Sequence, residues 1–268
     1  MRFKLYIEYE GTRYSGWQMQ KNAKSIQGKI LEAAEKIFKQ EKIELQGSGR
    51  TDAGVHAICQ IAHLDVKTML APEIIKMKLN DELPADINIL EVEKTHQNFH
   101  ARHDAKLRSY IYQISTRRTA FGKPFVWWIK DKLDFEKMNK ASKLFIGMHD
   151  YVSFADKDET EKSTKVLVED VQLKKEGDLI LIRIIASHFL WKMVRRMIGV
   201  LVEIGRGKLT EKDLYTFLNS HSKEPAKFTA PPSGLFLENV IYQNESLPQE
   251  FTSLLKINFN LNKQFKKN

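Results

Sequence analysis

Cysteine occurs once in the chain, at Cys59, which excludes a disulfide framework and any metal or iron–sulfur site built on several thiolates. No apolar run approaches the length of a membrane span, and the opening MRFKLYIEYEG alternates apolar and polar residues where a secretory leader would be continuously apolar. The expectation is a soluble protein of a reducing cytoplasm. Also missing are the phosphate-cradling G-x-x-x-x-G-K-[ST], a dinucleotide-binding glycine pattern and a G-x-S-x-G elbow, which argues against cofactor-dependent chemistry. Acidic residues fall short of basic ones: 34 Asp and Glu against 43 Lys and Arg give a formal charge of +9. That balance favours a polyanionic partner, either nucleic acid or an anionic membrane surface.

What is present divides into two similar halves. The 268 residues suffice for one large domain or two ordinary ones. Phe3, Leu5, Ile7 and Tyr9 alternate as in a half-buried strand, and Ser25 caps a helix to about Gln40 with Ile26, Ile30, Ala33, Ala34, Ile37 and Phe38 on its inner face. Strands follow at 42–46 and 55–66, then a short helix opening at Pro72 and a strand at 87–92. The second half repeats the alternation. A strand spans 107–115, a helix capped by Asp134 runs to Gly147, and a hairpin turns at 176–178. A long apolar helix at 189–204, a capped helix from Thr210 and a last strand at 235–242 complete it. The pattern predicts an α+β fold of two related lobes, each an antiparallel sheet with helices packed on it, and an active-site cleft between them. The expected boundaries are a lobe over 1–104, a second over 105–243, and a flexible basic tail over 244–268 that carries Lys263, Lys266 and Lys267.

Three constellations carry possible chemistry. The run GSGRTDAGVHA, 47–57, sets Arg50 and Asp52 among glycines, a loop shaped for a ligand. In the 189–204 helix, Lys192, Arg196 and Glu203 form a plausible solvated edge, whereas Arg195 lies off it beside Gly199, where the missing side chain leaves room. A buried guanidinium needs an anion, and Asp52 is the natural carboxylate; solvent or the surroundings of Glu203 are the alternative. Tyr110 and Tyr112 share a strand face beside Arg108, with Phe99, His100, Arg102 and His103 flanking. Rings among cations suit single-stranded nucleic acid, although strand tyrosines also serve as ordinary core. The two histidines of HARH lack companion ligands, so no metal site is expected, and DKDETEK at 156–162 reads as a solvated loop. Cys59 reads most simply as a small core residue, and Trp17 suits packing and binding equally.

Seven segments in order resemble the tRNA pseudouridine synthase A family: YEGTRYSGWQMQ (9–20), GSGRTDAGVHA (47–57), LNDELPADI (79–87), FHARHDAKLRSYIY (99–112), GMHDYVSF (147–154), FLWKMVRRMIG (189–199) and GLFLENVIY (234–242). The resemblance implies the pseudouridine synthase fold and isomerisation of uridine to pseudouridine at positions 38 to 40 of the tRNA anticodon stem-loop. It further implies no cofactor and a homodimer clasping tRNA across both subunits. By the same resemblance Asp52 is the catalytic aspartate, Tyr110 stacks near the target uridine, Arg195 pairs with the aspartate, and Arg50 helps hold the flipped nucleotide. Phe99, His100, Ala101, Arg102 and His103, with Lys165, are the implied RNA contacts. Ser48 stands where the family usually has alanine, HARH replaces HARF, and Lys165 replaces a frequent arginine. The same chemistry on another tRNA region or another RNA is one alternative. A non-catalytic RNA-binding protein is the other, and it gives no reason for a carboxylate in an RNA groove.

Binding of tRNA should weaken steeply between 50 and 200 mM salt, as neutralised phosphates release counterions. A flat salt response in a filter-binding titration would argue against an RNA substrate.

Overall fold

The computed structural model describes residues 1–40, 42–158 and 163–254. Its first element, β1 (Arg2–Tyr9), buries the alternating Phe3, Leu5, Ile7 and Tyr9. Helix α1 (Ile26–Phe38) begins where the Ser25 hydroxyl accepts the Gly28 N–H at 3.2 Å, and it ends in a left-handed turn at Lys39. Next come β2 (Glu44–Gly47), β3 (His56–Asp65), α2 (Pro72–Glu82) and β4 (Ile87–Thr95). Proline suits the first turn of α2 because its missing N–H has no helical partner there, and Ile75 and Leu79 one turn apart are fully buried.

The second half supplies β5 (Leu107–Ser115), β6 (Trp127–Trp128), α3 (Phe135–Ser142), β7 (Gly147–Asp150), β8 (Lys165–Glu176) and β9 (Leu179–Ala186). It closes with α4 (Met193–Gly205), α5 (Glu211–Asn219), α6 (Glu224–Lys227) and β10 (Leu235–Ile241). Asp134 caps α3 by accepting from the Lys137 N–H, and Thr210 with Asp213 forms a reciprocal capping box on α5.

The fold is α+β, as the pattern predicts, and the strands of both halves join in one ten-stranded sheet of order β4-β1-β3-β10-β5-β9-β8-β7. Strand β2 pairs with β3 and β6 with β5. All pairings are antiparallel except β5–β6 and β3–β10. The halves therefore meet at a seam where β10, the last strand of the described residues, lies parallel to β3 over Phe236–His56 and Leu237–Ala57 and antiparallel to β5.

Three expectations are corrected. Helix α4 starts at Met193, not Phe189, because Lys192 takes a left-handed backbone (φ 63°) that no α-helix accommodates. The supposed solvated edge of that helix is interior: Arg196 and Glu203 are buried, Arg196 against Asp156 and Glu203 against Arg206. Asp156, read as part of a solvated loop, is thus an anchor for α4, while 159–162 of that loop lie outside the described residues. Gly199 does make room, but for backbone: a Cβ there would lie 1.6 Å from the Phe228 carbonyl oxygen.

The segment after β10 is held as far as it is described. Lys4 bonds Glu245 at 3.0 Å, Arg183 donates to the Pro248 carbonyl at 2.7 Å, and Leu254 N–H donates to Gln113 at 2.9 Å. Residues 244–254 are consequently not a free tail, and Lys263, Lys266 and Lys267 lie outside the described residues. Among the described residues no helix is long and apolar enough to cross a membrane.

Gly199→Ala should lower unfolding stability by about 1–3 kcal/mol, since α4 must withdraw from Phe228 to admit one methyl group. An unchanged urea midpoint would refute this close approach.

Candidate active site

The loop between β2 and β3 is fixed before any ligand arrives. Ser48 N–H donates to the Ile61 carbonyl (2.7 Å), and its buried hydroxyl donates to Gln60 (2.6 Å), whose amide donates to the Gly49 carbonyl (3.0 Å). The hydroxyls of Thr51 and Tyr9 meet at 2.8 Å, and the Thr51 carbonyl accepts the Trp17 N–H at 3.1 Å. Gly54 has φ +77°, a left-handed turn disfavoured for any residue with a Cβ, and its N–H donates to the Tyr14 carbonyl. Gly47 instead leaves space for the Trp17 ring, which is buried: of the two roles the sequence leaves open to it, the structure shows packing. Gly49 faces open space. Between these ties, Asp52 projects from a rigid support.

Arg195 comes from the other half, on the first turns of α4. Its Nη1 donates to Asp52 Oδ2 at 3.0 Å, its Nε donates to the Ala230 carbonyl at 2.7 Å, and its own carbonyl accepts the Ala230 N–H at 3.0 Å. Both side chains of the pair remain partly exposed, 15 and 20%, on a cleft of about 1280 Å³ that opens along the seam. The arrangement offers a reactant a carboxylate oriented by one charge-assisted hydrogen bond, with room beside it.

Tyr110 of β5 lines the same cleft, buried, with the Phe189 ring edge-on at a centroid distance of 5.0 Å. Burial pushes its hydroxyl well above the usual phenolic range, so Tyr110 is protonated at neutral pH and available as a donor. Tyr112, on the same strand face, is core: it donates to the Pro231 carbonyl at 2.8 Å and meets Trp127 edge-on.

Arg50, Arg102 and His103 also line the cleft, all exposed, and Arg50 reaches Asp158 at 3.5 Å. The rest of the expected RNA-contacting set lies elsewhere. Phe99 and Ala101 are buried, Phe99 against Tyr242 and His63, so neither presents its side chain to the cleft. His100 packs between His63 and His103, its Nδ1 accepting the N–H groups of Arg102 and His103. Lys165 is exposed at the start of β8 opposite Asp150, away from the cleft lining. Among the described residues no group of three or more His, Cys, Asp or Glu could hold a metal ion, and Cys59 is half-buried, burial pushing its thiol up to about 11.

Sequence reasoning gave Arg108 no role of its own. Its Nη2 donates to the carbonyls of Ser48 (2.9 Å) and Arg102 (2.7 Å) and its Nη1 to that of Ser187 (2.8 Å), joining three cleft-lining segments. Burial lowers its pKa, and these acceptors are carbonyls, so its charge stays in the cleft wall uncancelled by them. Its position beside Tyr110 on the strand was the available signal. Phe189 and Trp191 stand in an apolar run whose pattern reads as helix from Phe189, and this hides their place on the cleft.

The chain matches the family model described as tRNA pseudouridine synthase over residues 5–104 and 141–243. It is similar to tRNA pseudouridine synthase A of Thermoanaerobacter sp. (strain X514), 39% identical over 242 residues, 89% of this chain and 98% of that one. The corresponding protein of Rhodopseudomonas palustris (strain BisA53) is 40% identical over 245 residues, covering 90% of this chain and 99% of its own. That of Geobacillus kaustophilus (strain HTA426) is 36% identical over 255 residues, 92% and 96%.

Arg108→Leu should destabilise the protein by roughly 2–4 kcal/mol in urea unfolding, because three carbonyls lose a charged donor at once. A change below about 0.5 kcal/mol would mean that water replaces the guanidinium without cost.

Proposed function

The chain belongs to the tRNA pseudouridine synthase family, and from that premise we propose that Asp52 is its catalytic carboxylate and that it acts on uridines 38 to 40 of the anticodon stem-loop. The protein is an isomerase: it converts uridine in tRNA to pseudouridine. The N1–C1′ bond breaks, the uracil turns, and C5 bonds to C1′ while C5 gives up a proton and N1 gains one. Atoms and electrons balance within the nucleotide, so the reaction calls for no cofactor.

The observation that carries the residue assignment is the Asp52–Arg195 pair at 3.0 Å, beside Tyr110 on one cleft. A carboxylate can attack C1′, add to C6 or remove a ribose proton, and each route begins from the anion. The Arg195 guanidinium holds one oxygen of that anion in place and leaves the other for the reactant. The target base must leave its stack to reach it, at a cost of a few kcal/mol that stacking on an aromatic ring offsets. Tyr110 supplies that ring, with Phe189 holding its edge. Arg50, Arg102 and His103 then meet the sugar–phosphate strand at the rim. In this reading the enzyme works in the cytoplasm as a homodimer that clasps one tRNA across both subunits.

Asp52→Asn keeps the shape of the side chain and removes its charge. Pseudouridine mapped by mass spectrometry in incubated tRNA should fall by about 10³-fold or more, with tRNA binding within a few-fold of wild type. Turnover retained in the variant would overturn the assignment, and product at positions other than 38 to 40 would overturn the target.

A further inference from the structure

We propose that Trp191 is a preformed stacking platform for a base of the RNA strand next to the target uridine, an inference that rests on the tRNA-modifying function above. Trp191 is 48% exposed and lines the mouth of the cleft whose interior holds Tyr110 and Phe189. A large indole left in water at such a place is unusual for packing and suited to a partner with a flat apolar face.

The ring is held in position by its neighbours. The left-handed backbone of Lys192 (φ 63°) closes the turn that joins Trp191 to α4. A lysine adopts that conformation only where surrounding contacts impose it. Those contacts are present: the Trp191 carbonyl accepts the Asp156 N–H at 3.1 Å, and the Leu190 carbonyl accepts the Met193 N–H at 3.1 Å. The Lys192 ammonium lies 5.0 Å from the Trp191 ring centroid and 2.5 Å from Asp156 Oδ2, while Asp156 also binds buried Arg196. A cation thus sits over the indole, and that cation is itself tied to the frame of α4. Little side-chain freedom remains to be lost when a base arrives.

Charge at the mouth identifies the class of ligand. Arg50, Lys157 and Lys192 share this lining with Trp191, and although Asp158 reaches Arg50 and Asp156 holds Lys192, the lining carries six Lys or Arg against two Asp, so a strand whose phosphates follow this net positive charge brings its bases to the indole. Stacking reads a π-face and not an edge, so the platform accepts any of the four bases. It therefore contributes to holding the strand, while choice of the target stays with the interior.

Steady-state kinetics with tRNA test the proposal. Trp191→Ala should raise KM about 5- to 150-fold, the size of one base stacked on an aromatic ring, and leave kcat within twofold. Trp191→Phe should restore most of the loss. Titration with tRNA should quench tryptophan emission in the wild type, and this quench should largely vanish in Trp191→Phe although that variant still binds. An unchanged KM in Trp191→Ala, or a wild-type quench in Trp191→Phe, would overturn it. Should Trp191→Ala fail to fold, the quench in Trp191→Phe decides alone. Failure of the underlying function would look different: the wild type itself would form no pseudouridine.

Discussion

One ion pair joins what the chain builds separately. Asp52 stands on a loop of the first half, Arg195 on a helix of the second, and 3.0 Å separates their polar atoms across the seam of the sheet. Neither charge would be tolerated so close to the interior alone. Each is therefore fastened from behind: the Asp52 loop by Tyr9, Tyr14, Trp17 and Gln60, and Arg195 by the Ala230 backbone on both sides. The close approach of α4 to Phe228 at Gly199 belongs to the same construction, because it holds the 228–230 segment where Arg195 can reach it.

Much of this was readable from local pattern. Strand alternation, the caps at Ser25, Asp134 and Thr210, and the proline of α2 are signals a few residues wide, and each helix begins where its signal predicts, although the one capped by Asp134 ends at Ser142 and not at Gly147. The partner of Arg195 was readable for a different reason, namely that burial of a guanidinium demands an anion and few stood in a suitable loop. Three features were not readable. The parallel contact of β3 with β10 joins residues about 180 apart, and nothing near either strand announces it. Lys192 carries no local mark of a left-handed turn, so the apolar residues before it passed for helix. Arg196 and Glu203 read as solvated because charge usually is, whereas both are buried against half-buried partners, one from elsewhere in the chain and one a turn away.

The distribution of charge follows a division of labour. Arg183 is fully buried on β9, bound to Glu238 at 2.8 Å and to the backbone of the segment after β10, so its charge is spent on structure. Among the described residues Arg108 hydrogen-bonds to carbonyls alone, and its charge remains in the wall of the cleft. Two arginines on neighbouring strands of one sheet thereby serve opposite ends: one is neutralised, the other projects a positive field toward an incoming strand.

The position of β10 also sets an order of events during synthesis. The strand that fills the seam is residues 235–241, so the first half can form its β4-β1-β3 sheet, with Asp52 already on its loop, well before the seam can close. Helix α4 with Arg195 is translated next, and only the last strand brings the two into register. A growing chain thus carries the Asp52 carboxylate before Arg195 exists to pair with it, and gains the cleft only once β10 is made. Formation of the cleft is in this way coupled to the arrival of β10 at the seam.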